Sequence, residues 1–563
     1  MEATSTPVRA DLIITGGRVE TLDAAWRTAS AIAVAGERIL AVGEDDAIRA
    51  LADSRTRVID ARGRRVVPGL VDGHAHMDRE GLKDALPSLA GCRSIADVLG
   101  RIEALAAVTP KGEWIVTMPI GEPPFYTGVP ANLAENRFPD REDLDRVAPD
   151  HPVYIRAIWG HWRNTLPLVS VASSMALERA GIDRDTMPPT PSIQIEKVLT
   201  TGEPTGRFYE FTYKPLVEKT LMACIPRFTL DQRIAGLARS MAVYNSHGTT
   251  SVFEGHGIAG EVLAAYQDLR ARGPLPVRSV LMLSPAWPSV DAGDVRDLLL
   301  DWGRWLAGRG LGDAYLRMAG LYTESDYSEE NRLRALCGPY TGWAGFNFDA
   351  ALPEDVMVEM MVDAARAGIR VGSFSPRILD LYEQVDRRAP IGDQRWLIEH
   401  VGIFDRDAIA RIRDLGLVLQ AYSSKWIWQE GERWRRELGD AGAGTVLPMR
   451  DLLDAGIHVS LATDNVPPSL FVPIWHVVSR RTEGGIGPLA PEQAISRREA
   501  LACASREGAW LSFEENDKGT IEPGKYADIA VLATDPLDVP EASLPEVVAD
   551  LTITGGRVVL DRD

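Results

Sequence analysis

The sequence predicts an α/β chain: a parallel barrel of strand and helix units, with a small β-sandwich assembled from both termini. Three observations predict it. Short apolar runs alternate with helical stretches through the long middle of the chain. The two ends carry near-copies of one β-type segment, Asp11-Leu12-Ile13-Ile14-Thr15-Gly16-Gly17-Arg18-Val19 and Asp550-Leu551-Thr552-Ile553-Thr554-Gly555-Gly556-Arg557-Val558. Imidazole and carboxylate residues stand at the ends of several apolar runs, where side chains from different strands converge when parallel strands close into a ring.

Each terminal segment reads as a strand, a tight Gly-Gly turn and a second strand. Further β-type patterns, Ala31-Ile32-Ala33-Val34 and Ala527-Asp528-Ile529-Ala530-Val531-Leu532, lie near them. Residues 1 to about 66 and about 519 to 563 are therefore expected to form one composite sandwich, and residues 67 to 518 the barrel.

Within the barrel region the candidate strands are Val252-Phe253, Val277–Met282, Tyr315–Ala319, Ile369–Ser373, Trp396–His400, Leu415–Ala421 and Ile457–Ala462. Helical stretches from Arg233 to Tyr244, Pro353 to Ala367 and Asp405 to Asp414 separate several of them. A doubly wound open sheet is the competing arrangement, but no Gly-rich phosphate loop follows an early strand. Residues from about 84 to 210, with many Pro and several Trp, read as an insertion after the first barrel strand, a lid that shapes a substrate pocket.

At 563 residues the chain exceeds the usual size of one domain, and 45% hydrophobic content suffices for a large core. The net charge of −19, with no basic block, argues against a nucleic-acid partner. Cys92, Cys224, Cys337 and Cys503 are scattered, without the paired spacing of a zinc knuckle or redox motif, so a reduced cytoplasmic setting is expected. Residues Met1 to Ala10 lack a leader pattern, and no run reaches the ~20 apolar residues that span a bilayer, so no membrane partner is expected. The expected partner is a small-molecule substrate; the oligomeric state is left open, a homo-oligomer included.

The chemistry centres on Val66-Val67-Pro68-Gly69-Leu70-Val71-Asp72-Gly73-His74-Ala75-His76-Met77-Asp78. On a strand, His74 and His76 at i and i+2 point the same way and can share one metal ion. Asp464, in Leu461-Ala462-Thr463-Asp464, ends another apolar segment. Glu254 and His256 follow the candidate strand at Val252-Phe253, as a further source of ligands or as an exposed turn. Tyr422, Lys425, Trp426 and Trp428 follow the strand ending at Ala421, where they line a pocket for an aromatic or anionic substrate or simply pack at the surface. His151, His247, His458 and His476 have no motif around them and read as structural.

Pro68-Gly69-Leu70-Val71-Asp72-Gly73-His74-Ala75-His76, Ile398-Glu399-His400, Ala462-Thr463-Asp464 and Gly519-Thr520-Ile521-Glu522-Pro523-Gly524-Lys525-Tyr526-Ala527-Asp528 resemble the amidohydrolase superfamily. The closer resemblance is to its YtcJ-like branch, which includes N-substituted formamide deformylases. Gly202-Glu203-Pro204-Thr205-Gly206 and Gly160-His161-Trp162-Arg163-Asn164 look like further marks of that branch. The resemblance implies a TIM-like (β/α)8 barrel whose C-terminal mouth holds one or two divalent ions. Carried over, His74, His76, His400 and Asp464 match the family's ligands. Arg317 stands where the family places its strand-four lysine, and Gly372-Ser373-Phe374-Ser375 offers no imidazole where a strand-five histidine is expected. One ion, zinc by ligand type, held by His74, His76 and Asp464 with His400, is therefore the expectation. His161 reads as a lid or substrate contact, and Glu254, His256, Arg317, Tyr422 and Lys425 as further candidates on the substrate side.

An ion with imidazole and carboxylate ligands and an open position activates water and polarises a carbonyl. Asp464 is then the general base, passing its proton to a leaving nitrogen, and His400 either ligates or hydrogen-bonds the carbonyl oxygen. The expected reaction is hydrolysis of a non-peptide carbon–nitrogen bond in a small amide, formamide, carbamate or cyclic amide. A deaminase acting on an amino-heterocycle and a catalytically silent small-molecule-binding barrel are the alternatives.

Overall fold

The computed structural model describes residues 9–123, 125–158, 165–285, 292–324, 328–335 and 352–562. Eight parallel strands form its centre: β1 (Leu70–Asp72), β2 (Thr249–Ile258), β3 (Arg278–Leu283), β4 (Leu316–Glu324), β5 (Val371–Phe374), β6 (Leu397–Ile398), β7 (Val418–Ala421) and β8 (Val459–Leu461). Each pairs in parallel with the next in chain order. Gly73 N–H donates to the Leu461 carbonyl at 2.9 Å and Asp464 N–H to the His74 carbonyl at 2.9 Å, which joins the end of β8 to the end of β1. The sheet is thus a TIM-like barrel rather than an open doubly wound sheet.

Parallel strands in a barrel are covered on both faces, and β2 is buried along nearly its whole length, its polar Thr249, Thr250, Ser251 and Glu254 included. Helices Gly260–Arg272, Ala292–Leu306, Ile378–Asp386 and Arg406–Asp414 follow β2, β3, β5 and β6 and supply the outer layer. The largest apolar core lies between this layer and the later strands, with Trp396, Met361, Leu419 and Ile474 among its buried members.

Two boundaries differ from the sequence expectation in ways that matter for the site. The strand expected at Val252-Phe253 runs to Ile258, so Glu254 and His256 lie within β2 and not on an exposed turn. The strand expected to end at Ala319 continues to Glu324, past Gly320, whose φ of +99° interrupts the apolar pattern without ending the pairing.

A four-stranded sheet is built from Leu12–Thr15, Ala31–Ala35, Arg38–Gly43 and Arg57–Asp60. A six-stranded sheet mixes both ends of the chain: Arg18–Glu20, Thr28–Ala29 and Arg65–Pro68 with Ile529–Leu532, Ala549–Thr554 and Arg557–Asp561. Leu12, Ile32, Val66, Ile529 and Ile553 share one buried cluster between them. The two Gly-Gly segments behave differently. Gly555 and Gly556 both have positive φ (+55° and +71°) and close a hairpin, whereas the strands flanking Gly16-Gly17 enter different sheets.

Val66–Pro68 pairs with Ile529–Val531, and Gly69 then hands the chain directly to β1. A Cβ on Gly69 would lie 2.1 Å from Thr250 Oγ1, so only glycine lets the chain pass here. Between β1 and β2, a further five-stranded sheet (Ile115–Thr117, Val153–Ile155, Leu168–Ala172, Ile193–Lys197, Pro204–Glu210) packs with the helix Ile95–Val108, whose first turn is capped by Ser94.

Candidate metal centre

The C-terminal ends of β1, β2, β6 and β8 bring four imidazoles and a carboxylate together. His74 Nε2 lies 3.1 Å from His76 Nε2, and His76 Nε2 lies 3.1 Å from Asp464 Oδ1. The His256 ring centre is 4.5 Å from that of His400 and 5.0 Å from that of His74, and the His74 and His400 centres are 4.7 Å apart. Of the matched residues, His74, His76, His400 and Asp464 therefore meet in one place. His256 joins them from β2.

The hydrogen bonds fix which nitrogens face inward. Gln420, on β7, donates from Nε2 to the Gly73 carbonyl at 2.6 Å, which turns its Oε1 to His74 Nδ1 at 3.0 Å. His74 thus carries its proton on Nδ1 and presents the Nε2 lone pair to the cluster. His76 Nδ1 faces Glu254 Oε2 at 3.7 Å, and Glu254 is held by Met77 N–H (3.0 Å) and by the Tyr266 hydroxyl (2.5 Å). Glu254 accordingly stands on the Nδ1 side of His76.

Three electron-pair donors, His74 Nε2, His76 Nε2 and Asp464 Oδ1, therefore point at one another. Ligands bound at 2.0–2.1 Å in a tetrahedral array stand ~3.3 Å apart, close to the two 3.1 Å separations here, while His74 Nε2 and Asp464 Oδ1 are 4.0 Å apart, a set that suits a zinc-like ion. The residues fit such an ion. Arg79, on the helix Met77–Leu82, approaches Asp464 Oδ1 at 3.3 Å and supplies fixed positive charge.

Burial sets the electrostatics. It lowers the His74 pKa, against the opposing pull of Asp464 and Gln420, and so favours the neutral ring that a metal requires. It pushes Asp72 up to about 7 despite hydrogen bonds from Thr463 and the His74 N–H. Glu254 and Glu399 are both raised well above the usual carboxylate range, first by burial, then by neighbouring Asp78 for Glu254 and, for Glu399, by Asp464 and Glu324 against an opposing Arg370.

Backbone geometry serves the same end. His400 and Asp464 both have left-handed φ, 53° and 51°, conformations tolerated by Asp but uncommon for other non-glycine residues. Such local strain concentrates at functional positions. Asp72 ties the two barrel ends together, accepting from Thr463 N–H at 3.1 Å and from the Thr463 hydroxyl.

Two of the sequence candidates, Arg317 and Lys425, stand apart from the cluster. Arg317 lies near the start of β4, the opposite end from the cluster, and pairs with buried Glu514 at 2.9 Å, so it does not stand at the strand-four ligand position. Glu324 ends that strand instead, buried, with the Tyr322 hydroxyl at 3.3 Å. Lys425 sits against the Trp426 ring (5.5 Å to its centre) rather than on the cluster. Tyr422 is buried with its ring 5.8 Å from that of His400, on the site side of β7. Phe374 ends β5, half-buried, 6.4 Å from the His400 ring. His161 lies outside the described residues. Glu399, Gln420 and Arg79 went unassigned by sequence reasoning. The signal for Glu399 was its place beside His400.

Comparisons with known proteins agree with this architecture. A sequence profile described as the amidohydrolase family matches residues 57–560. The N-substituted formamide deformylase of Arthrobacter pascens is 28% identical, with 98% of each chain covered. The putative amidohydrolase YtcJ of Bacillus subtilis (strain 168) is 23% identical over 90% of this chain and 91% of its own. Among solved structures, an uncharacterized metal-dependent hydrolase from Pyrococcus horikoshii superimposes with a TM-score of 0.67 at 20% identity, covering 94% of this chain and 99% of that one. The barrel, the strand-end histidines and the matched profile together place this chain in the amidohydrolase family.

Proposed function

We propose that the chain is a metal-dependent hydrolase that cleaves a non-peptide carbon–nitrogen bond of a small molecule: an amide, formamide, carbamate or cyclic amide. The convergence of His74 Nε2, His76 Nε2 and Asp464 Oδ1 at the barrel mouth carries this reading. Similarity to a formamide deformylase along 98% of the chain supports the bond type.

His74, His76 and Asp464 would hold a divalent ion, zinc by its nitrogen and oxygen donors, with His400 and His256 beside it. When bound, such an ion lowers the pKa of its water towards neutrality and polarises a carbonyl. Asp464 receives the water's proton on its carboxylate and returns it to the leaving nitrogen. Arg79 fixes Asp464 at Oδ1 and keeps the carboxylate turned to the site. His400 donates to the substrate carbonyl oxygen as negative charge develops there. Tyr422 bounds the space beside His400 on the side of β7.

The test is turnover by zinc-reconstituted protein of a panel of N-substituted formamides, carbamates and cyclic amides, with amine release as readout. His74→Ala should abolish turnover. Ammonia released only from amino-heterocycles would move the chain to the deaminases. A metal content well under one divalent ion per supplemented chain would sink the metallohydrolase reading and favour a silent binding barrel.

A further inference from the structure

The mechanism above leaves the hydroxyl of Tyr422 without a task. Tyr422 directly follows β7 and is buried, and its ring meets that of His400 edge-on, with the centres 5.8 Å apart and the planes at 85°. Its hydroxyl oxygen is enclosed and has no hydrogen-bond partner among the described residues. A buried phenol normally finds a partner, and leaving it without one costs free energy. The ring is also held in place. The Ala421 carbonyl accepts from Ala462 N–H at 3.2 Å, which ties the exit of β7 to β8, and the next residue, Ser423, is buried with its Oγ 3.3 Å from His476 Nδ1. A hydroxyl on so fixed a ring gains a partner when one is brought to it.

The polar groups of the site are engaged elsewhere. Asp464 directs Oδ1 to His76 Nε2 at 3.1 Å and to Arg79 at 3.3 Å, and Gln420 spends its amide on His74 and the Gly73 carbonyl. A phenol keeps its proton at neutral pH and can donate it. In the proposed reaction the scissile carbonyl oxygen has two lone pairs: His400 donates to one, and the other faces the ion that polarises the bond. The Tyr422 proton is then left for a second acceptor on the substrate.

We propose that Tyr422 selects substrates that carry a second acceptor oxygen beside the scissile amide: imides, carbamates, and amides with an ether or carbonyl group on the nitrogen side. The inference rests on the proposed function and narrows it. A site that sets a buried hydrogen-bonding group against its substrate discriminates strongly against analogues lacking the complementary atom, because the group then stays unpaired, whereas an apolar wall separates such analogues poorly. Simple alkyl formamides and lactams fit the same reaction but leave the Tyr422 hydroxyl unused, and so bind more weakly.

The test is Tyr422→Phe, which keeps the ring and deletes the hydroxyl. Zinc-loaded full-length wild type and variant are given two matched pairs of compounds: glutarimide against valerolactam, and N-(methoxyethyl)formamide against N-butylformamide. kcat/KM is read for compounds that react and Ki for those that bind without reacting; comparing each compound between the two proteins cancels its intrinsic reactivity. In at least one pair the substitution should weaken the acceptor-bearing member by about 10-fold or more, chiefly through KM or Ki, and leave the plain member within about threefold. A second readout needs no turnover: since the hydroxyl has no partner among the described residues, its removal should leave Tm at or above the wild-type value. A lowered Tm would show that the hydroxyl is bonded within the chain and would overturn the proposal. Equal losses for both members of each pair, no loss in either, or failure of both pairs to bind while other amides are turned over would overturn it too, and each leaves the proposed function standing. A wild type that turns over no amide, imide or carbamate overturns the proposed function and this inference with it.

Discussion

Gly255 stands so close to His74 that a Cβ added to it would lie 2.2 Å from the imidazole Nδ1. The glycine between Glu254 and His256 therefore lets the first histidine ring lie flat against β2 and reach Gln420. Gly255→Ala should push the His74 ring off its position. Because displaced or unsupported ligands typically cost about 10–100-fold in metal affinity, zinc titration should show a loss of that size with the fold intact by circular dichroism. Unchanged affinity would mean that His74 is not a ligand.

Gln420 joins His74 to the Gly73 carbonyl through one amide. Gln420→Leu removes both bonds, freeing the imidazole tautomer and leaving a buried carbonyl unsatisfied, at a cost of about 1–3 kcal/mol. Denaturant unfolding should show that loss, and metal titration a fall in affinity of about 10–100-fold. A variant destabilised but unchanged in zinc binding would confine Gln420 to a structural role.

Arg317 belongs to a different part of the molecule, the closed lower end of the barrel, with Glu514 at 2.9 Å and Lys518 beside the same carboxylate at 2.7 Å. Despite burial, Lys518 and Arg317 hold the Glu514 carboxyl down at about 2, below its ordinary 4.5. A carboxylate with a lowered folded pKa stabilises the fold above its unfolded value, and that contribution disappears as pH falls from 4.5 towards 2. Arg317→Met breaks a buried pair and should cost about 3–5 kcal/mol, while kcat/KM per folded molecule stays at the wild-type level. Stability curves between pH 7 and 2.5 should be flatter for the variant. A selective loss of activity would return Arg317 to the site.

Removing metal should be visible as lost stability. An ion that binds only the folded chain contributes about 2.7 kcal/mol when present at 100 times its Kd. Chelation should therefore lower Tm, and zinc should restore it in a concentration-dependent way. His76→Ala should show a smaller response to the same titration. Identical responses in the two proteins would place the bound zinc elsewhere.

The barrel and the grouping of His74, His76 and Asp464 were readable because each closes a short apolar run and strand ends of a parallel ring face one space, while His400 was legible through the family motif Ile398-Glu399-His400. Arg317 misled because Gly320 interrupts the pattern of β4, hiding the second half of the strand and making its start look like its end. Glu254 and His256 were ambiguous for a related reason: glycines at 255 and 257 read as a turn, yet the strand runs on to Ile258, with Glu254 paired and His256 in the irregularity between Glu254 and Ile258. Glu399, Gln420 and Arg79 depend on which way side chains point once the ring closes, a direction that periodicity alone does not carry into short strands. The first Gly-Gly segment shows the same limit, since its sequence matches the hairpin at the other end while its strands part into separate sheets.

The passage from Arg65–Pro68 through Gly69 into Leu70–Asp72 has a temporal meaning. The strand that carries the histidine pair is anchored upstream by Ile529–Val531, and Gly69 N–H donates to the Asp528 carbonyl at 2.8 Å. Those anchors are translated some 460 residues after the histidines they steady, so a growing chain that has already made the whole barrel still lacks the rail on which its first ligands are aligned. A chain lacking Ile529–Val531 would lose the strand that pairs with Val66–Pro68, immediately upstream of the histidine pair.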